Sequence, residues 1–361
     1  MTNFSMHSVS QRPECLLTRD AHASTLSGKR QNAESVFSEV KQDPRFVFRL
    51  TRHCTHAFTK LQSFLRSGLQ QAKARIYRLE HYEACLLPSA PQDLKKIQDA
   101  AGMATIPYTR DSKVLTPGFS FDQDLACAVS KTKPQPTARP SVLFGRGQDR
   151  LPKPGQMASF IDPHSGLSAY LVVNDSAREI KVIFGGTTSG EKVAIDYSVS
   201  RLYLNKPSMF NQCVANLKAG LGRIPLCYQQ GACITRAVLQ QVQAENSRYA
   251  GYTVSTLGHS LGGGIAVYAA LAQAQPVQAI GFSSAHLSLG IVNRLPKENV
   301  ANAKNLITHF HVKNDVVPNL RYLYPGLAPV GVEAVFPSSP EVSGVGHIHA
   351  QFYEHIKRYS H

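Results

Sequence analysis

Ser260 is the residue whose neighbours best equip it to act as a nucleophile. It stands at the centre of Gly258-His259-Ser260-Leu261-Gly262, a Gly-x-Ser-x-Gly pentapeptide. Tyr252 to Leu257 before it form a short β-branched and aromatic run, and Ile265 to Ala272 after it form an Ala-rich segment of good helix propensity. Strand, tight turn and helix are the context that a nucleophile elbow requires. The turn lifts the serine Oγ clear of a sheet, and the flanking glycines keep Cβ atoms out of the bend. The N–H of Leu261, at the start of the helix, is then a donor for a developing oxyanion. A Gly-rich β–α turn with an incidental serine is the plainer alternative. The flanking strand and helix and the run Gly262-Gly263-Gly264 weigh against it.

A serine hydroxyl is a weak nucleophile at its own pKa and needs a base within hydrogen-bond reach. Histidine titrates near neutrality, so it can take that proton and later return it to the leaving group. His347 and His349, in Val345-Gly346-His347-Ile348-His349, are the candidates. An aspartate would fix the imidazole tautomer, and Asp315 stands just past the run Asn305 to Val312, which reads as a buried strand. The carboxyl end of such a strand is where an α/β sheet places its functional groups. A loop-initiating Asp before Pro318 is the plainer reading. The order Ser260, Asp315, then His347 or His349 is the Ser…Asp…His order of α/β hydrolases.

A fourth element is Phe184-Gly185-Gly186-Thr187-Thr188-Ser189-Gly190. Glycines at a strand end followed by hydroxyl residues let main-chain N–H groups point into a cavity, the build of an oxyanion-hole loop. A phosphate loop would want lysine after its last glycine, and that order is not met. His309 and His311 fall inside the strand run and read as packed or surface residues, not as the base.

The elements that must position these groups follow from hydrophobic patterning. Leu167 to Asn174 and Ile180 to Phe184 read as two strands of an antiparallel hairpin. Gly231 to Asn246 is an amphipathic helix, with Ile234, Val238, Leu239 and Val242 on one face. Val277 to Phe282 is the strand after the elbow helix, and Ala350 to Tyr359 is helix-like. The expected fold is an α/β hydrolase with a mostly parallel central sheet, preceded by a mainly helical N-terminal region.

Residues 1–32 are polar and without sustained period, and are read as a disordered or export segment. Residues 33–130 form a basic helical region, its helical pattern running from Ala33 to about Leu87 and again from Asp93 to Met103. Between Lys41 and Glu80 it carries nine Lys and Arg against Asp43 and Glu80. Such a segment can lie on an anionic bilayer or be the solvated face of a helical subdomain. Residues 131–156, rich in Pro and Gly, read as a linker or long loop. Residues 157–361 form the catalytic domain, and 196–222 are placed to cover its site.

The 361 residues carry a net charge of +15, which favours an acidic partner surface such as anionic phospholipid or nucleic acid. The seven cysteines are odd in number, scattered and without a Cys-x-x-Cys pair, which argues against a disulfide framework or structural zinc. No eighteen-residue apolar run exists to span a membrane, and Met1 to Asp20 has no apolar core of a secretory signal.

On these motifs the chain resembles the class 3 lipases, the family of fungal triacylglycerol lipases and many bacterial and plant phospholipases. The resemblance covers roughly residues 157–357. Ser165-Gly166-Leu167-Ser168-Ala169-Tyr170 resembles the family's entry strand, and Phe184-Gly185-Gly186-Thr187 its Phe-Arg-Gly-Thr/Ser oxyanion loop. Gly258-His259-Ser260-Leu261-Gly262-Gly263 matches its elbow, and Asn314-Asp315-Val316-Val317-Pro318 resembles its Asn-Asp-x-Val-Pro acid motif. The resemblance implies that Ser260 attacks, Asp315 orients the base, and Thr187 and Leu261 donate to the oxyanion. His259 would be structural. Gly185 replaces the family's arginine, and no lid is recognisable between 190 and 215. His347 is placed ahead of His349 as the base, with Phe352 five residues on.

The expected activity is serine lipid-ester hydrolysis, most specifically of phospholipase A or lysophospholipase type, with no metal and no cofactor. The alternatives are an acyltransferase using the same triad, a triacylglycerol lipase, and a non-catalytic binding module. The expected partner is an anionic phospholipid surface met by the basic N-terminal region, with a host activator, chaperone or immunity protein besides, and no nucleic acid. Absence of a secretory signal suits a bacterial effector held in the cytoplasm, then delivered to a target cell and bound peripherally to its membrane.

Overall fold

Between Leu167 and Phe336 the sequence supplies strands that assemble into a single sheet with a hydrophobic layer on each face. The computed structural model describes residues 82–88, 90–132, 151–187, 189, 207–313, 315–324, 326–337 and 349–359. All of them lie in the unit Ala57–His361. Residues 1–81, 133–150, most of 188–206 and 338–348 are outside the description. The export segment, most of the basic helical region, most of the linker and the segment holding His347 therefore fall outside it.

In chain order the elements are β1 (Tyr82–Cys85), α1 (Pro91–Ala104), α2 (Ile106–Thr109), β2 (Ser120–Phe121), α3 (Gln123–Lys131), β3 (Pro154–Gly155), β4 (Ser159–Asp162), β5 (Leu167–Asn174) and β6 (Glu179–Phe184). There follow α4 (Pro207–Gly220), α5 (Leu226–Gln243), β7 (Thr253–His259), α6 (Leu261–Leu271), β8 (Gln278–Phe282), α7 (Leu289–Val292), α8 (Lys297–Ala301) and α9 (Ala303–Leu306). The last are β9 (Ile307–Val312), α10 (Val316–Leu323), β10 (Gly331–Phe336) and α11 (His349–Tyr359).

The sheet order is β1-β10-β9-β8-β7-β6-β5-β4-β3, with β2 on β5. Every pairing from β1 across to β6 is parallel. From β6 to β3 the pairings are antiparallel, including the β5–β6 hairpin read from the sequence. A mostly parallel sheet whose central strand β7 ends in a nucleophile turn and leads into α6 is the α/β-hydrolase architecture expected from the motifs.

Alternation along β5 divides the core. Leu167, Ala169, Leu171 and Val173 face one hydrophobic layer with α3, α5 and α6. Tyr170 and Val172 face the other, with α1 and Ile356 of α11. Helix α6 is buried all round, from Leu261 to Leu271, as its Ala-rich composition without a polar face requires.

Two readings from the sequence are corrected here. Tyr82–Cys85, placed in the helical pattern running to Leu87, is strand β1, paired in parallel with β10. Four residues of Tyr-Glu-Ala-Cys carry no strand signal; the edge of the sheet imposes the conformation. The plainer alternative weighed for Asp315, a loop-initiating residue before a proline turn, gives way to a helix: Asp315 caps α10 and the proline lies in its first turn. Strand β10, which the sequence reading left unassigned, and strands β1 and β2 join the same sheet, so the sheet extends beyond the segment 157–361.

Candidate active site

Strand β6, strand β7 and strand β9 run parallel, so the chain leaves all three at the same edge of the sheet. Phe184 at the end of β6 is in register with Gly258 of β7, and His259 with Phe282 of β8. The glycine loop, the candidate nucleophile and the candidate acid thus emerge side by side, the acid two strands from the nucleophile.

Ser260 occupies the N-cap of α6 with φ 61 and ψ −127, a backbone conformation a non-glycine residue adopts only when its surroundings enforce it. The enforcement is visible. Its N–H donates to the Phe282 carbonyl at 3.0 Å, and its carbonyl accepts from Ala285 at 3.0 Å and Gly263 at 3.1 Å. The flanking glycines allow the approach: a Cβ on Gly258 would lie 2.8 Å from the Phe184 oxygen, and one on Gly262 would lie 2.7 Å from the Gly185 carbonyl carbon. Leu261, immediately after Ser260, opens α6, where N–H groups have no intrahelical acceptor.

The loop after β6 closes on the elbow. A Cβ on Gly186 would lie 2.6 Å from the His259 carbonyl oxygen and 2.9 Å from Ser260 Cβ. The carbonyl of Gly186 accepts from the Ser189 N–H at 3.1 Å and the Ser189 hydroxyl at 2.6 Å. Gln212 of α4 in turn donates to the Ser189 carbonyl at 3.2 Å. Because the Gly186–Thr187 peptide is planar and trans, pinning that carbonyl also fixes the direction of the Thr187 N–H. The Thr187 hydroxyl accepts from Asn216 of α4 at 3.2 Å. At Gly185, where the resembling motif carries arginine, there is no room for a side chain: a Cβ would lie 2.6 Å from Pro107 Cβ.

Asp315 lies three residues past the end of β9 and is 1 % exposed. Its N–H donates to the Val312 carbonyl and its carboxylate caps α10 by accepting from the Val317 N–H, both at 2.9 Å. Helix α10 is tied to the sheet by Arg321, which donates to Glu333 of β10 at 2.6 Å. Around Glu333 stand His311 at 3.2 Å and His286 at 3.6 Å. Burial works to raise the Glu333 pKa, and the His311 hydrogen bond, the neighbouring imidazoles and the Arg321 guanidinium outweigh it, so its carboxyl is held well below the usual range. Burial pushes His309 down to about 4. It also lowers His286 well below its ordinary value, with the neighbouring His309 adding to the effect. His309 holds the Val330 carbonyl at 3.0 Å. The reading of His309 and His311 as strand residues stands, and both are interior. This cluster was not legible in the sequence, because its five members come from β9, β10, α10 and the loop after β8. Among the described residues no group of His, Cys, Asp and Glu is arranged to hold a metal ion.

His349 is the first residue of α11, and His347 lies outside the described residues. His259 is buried beside Ser260, its ring edge-on to Tyr108 with centroids 5.7 Å apart. Tyr108 is the residue near the site that the sequence reading missed. It stands in the N-terminal segment, in a stretch without a motif.

A family model described as a Tle-like phospholipase domain matches residues 151–331. No protein of curated function matches the chain. Among solved structures, a lipase from Rhizopus microsporus var. chinensis is similar at 18 % identity and TM-score 0.43, covering 71 % of this chain and 78 % of its own. Lipase II from Rhizopus niveus is similar at 16 % identity and TM-score 0.41, covering 70 % and 83 %. Lip2 lipase from Yarrowia lipolytica is similar at 16 % identity and TM-score 0.38, covering 70 % and 82 %. With half of its length matched by the family model, the chain belongs to the Tle-like phospholipase domain family and is a lipid carboxylic-ester hydrolase.

Proposed function

We propose that the chain hydrolyses acyl esters of glycerophospholipids, as a phospholipase A or lysophospholipase, through an acyl-enzyme on Ser260. The observation that carries the serine mechanism is the enforced positive φ of Ser260 at the strand-to-helix turn, directly against the Gly185–Thr187 loop. In this reading His347 or His349 takes the Ser260 proton, and Asp315 orients that imidazole. Thr187 and Leu261 donate main-chain N–H groups to the tetrahedral oxyanion. The alcohol portion leaves with the proton the histidine carries, and water, deprotonated by the same histidine, releases the fatty acid. The phospholipid preference is supported by the family description and by a net charge of +15, which favours an anionic surface. The basic segment between Lys41 and Glu80 is the proposed contact with that surface.

The test is fatty acid release from phospholipid vesicles and from triglyceride emulsions by the wild type, Ser260→Ala, His347→Ala and His349→Ala. Release from phospholipid that is lost with Ser260→Ala supports the proposal, and the histidine variant that loses it is the base. Release from triglyceride alone makes the enzyme a neutral lipase. Acyl transfer to an added alcohol in place of release makes it a transferase.

A further inference from the structure

Tyr108 belongs to α2, a four-residue helical turn that precedes the segment matched by the family model. Its hydroxyl lies between two stretches of backbone that meet at the candidate site. The Gly186 N–H donates to the Tyr108 oxygen at 2.9 Å. The same oxygen lies 3.2 Å from the His259 carbonyl and 3.1 Å from His259 Nδ1. A hydroxyl has one proton to give and two lone pairs to receive. The arrangement that satisfies all three contacts has Tyr108 donating to the His259 carbonyl while accepting from Gly186 N–H and from a protonated His259 Nδ1. Burial raises the phenol pKa far above neutrality, so the proton stays available for donation.

Both partners are one residue from groups assigned a chemical role. Gly186 precedes Thr187, and His259 precedes Ser260. The hydroxyl therefore fastens the oxyanion loop to the nucleophile strand at the point where their separation sets the geometry of the reacting centre. Its neighbour Pro107 fills the space beside Gly185, so two consecutive residues of α2 pack on two consecutive glycines of the loop. On the far side of the loop Ser189 holds the Gly186 carbonyl. Gly186 is thus gripped at its N–H by Tyr108 and at its carbonyl by Ser189, and its N–H is taken up by protein, leaving Thr187 as the loop's donor to substrate.

We propose that Tyr108 is a positioning residue of the oxyanion hole, holding the Thr187 donor at its working distance from Ser260 through Gly186 and His259. This rests on the reading of Ser260 as nucleophile. It also makes a residue outside the matched segment part of the catalytic apparatus. The tetrahedral intermediate depends on that distance far more than the bound ester does, so loss of the hydroxyl acts on kcat and leaves KM.

The experiment compares full-length wild type, Tyr108→Phe and Ser260→Ala in hydrolysis of p-nitrophenyl butyrate. Inhibition by an alkyl boronic acid, which forms a tetrahedral adduct on an active serine, is measured on the first two. Assays run at 10 °C, with folding of each variant checked by circular dichroism. Tyr108→Phe is expected to lower kcat on the order of 10- to 100-fold, less than removal of a direct donor costs. Boronate affinity should fall by a similar factor, with KM within about twofold. A second variant, Ser189→Ala, loosens the other side of the loop and should shift kcat and boronate affinity together in the same sense. If Tyr108→Phe keeps wild-type kcat while Ser260→Ala is inactive, the proposal is overturned and the nucleophile stands. An increase in KM without change in kcat overturns it as well, since Tyr108 would then be shaping substrate binding. Hydrolysis that persists in Ser260→Ala removes the serine reading, and this proposal with it.

Discussion

The nucleophile side and the acid side of the candidate site are held by different means. Around Ser260 the restraints are neutral and mostly backbone: glycines in close approach, main-chain hydrogen bonds to Phe282 and from Ala285, and one phenol. Around Asp315 they are ionic and interior, with α10 anchored by Arg321 on Glu333 among His286 and His311, all five residues under one-tenth exposed. Neutral packing costs little desolvation but tolerates no added atom. Buried charge tolerates no lost partner, because a stranded ion in the interior is expensive. Rigidity at the first side thus comes from exclusion of volume, and at the second from mutual neutralisation.

The largest expected effect separates the two jobs of Asp315. Asparagine is as good an N-cap as aspartate, so Asp315→Asn should keep α10 and the melting temperature. It should nonetheless lower kcat by about 10⁴, since a neutral amide no longer fixes the base or stabilises its cation. Wild-type activity in that variant would leave Asp315 as a cap alone. Next in size, Glu333→Gln should cost about 3–5 kcal/mol in urea unfolding by stranding Arg321. A loss under about 1 kcal/mol would mean that water reaches the cluster and that the acid side is not held by charge.

The contrast also has a pH signature. His309 falls from an ordinary 6.5 to about 4 on burial. Between those values the unfolded chain takes up a proton that the folded chain refuses, so stability falls as pH falls, by about 1.4 kcal/mol per unit for each such histidine. His286 acts in the same direction. Glu333, whose pKa is held below the ordinary 4.5, adds to the loss at more acid pH. Calorimetric melting from pH 8 to pH 4 should show a falling Tm that Glu333→Gln alters and Ser260→Ala does not. The smallest effect belongs to the nucleophile side. Ser260→Gly should stabilise the fold by about 1 kcal/mol, relieving the positive φ, while Ser260→Ala should not. Equal melting of the two variants would mean the turn carries no strain.

Much of the nucleophile side was legible in sequence because its restraints are local. Gly258 to Gly264 state the turn, its glycines and the start of the helix within a few residues, and Phe184 to Thr187 state the loop. The acid side was legible only at Asp315, whose position after an apolar run is itself local. The cluster behind it was not, since the partners of Glu333 lie on elements that pair only in three dimensions. Tyr108 was hidden for the same reason: its partners, Gly186 and His259, are brought to it by the sheet. The strand conformation of Tyr82–Cys85 likewise depends on β10, and no propensity in those four residues foretells it.

That last pairing bears on the order in which the molecule is made. Tyr82 joins Gly331 in register, and α1 packs against α11. About 250 residues of chain therefore separate β1 from its partner, a contact whose loop-closure cost is met only late in folding. On the ribosome, the elbow and the glycine loop emerge before the strand that pairs with β1 and the helix that packs on α1 have been synthesised. The nascent chain can assemble the centre of its sheet and dock α1 and α2 on β5, β6 and β7 while β1 still has no edge to join. Closure of this edge of the sheet is thereby tied to the arrival of residues 331–359, a delay written into the topology.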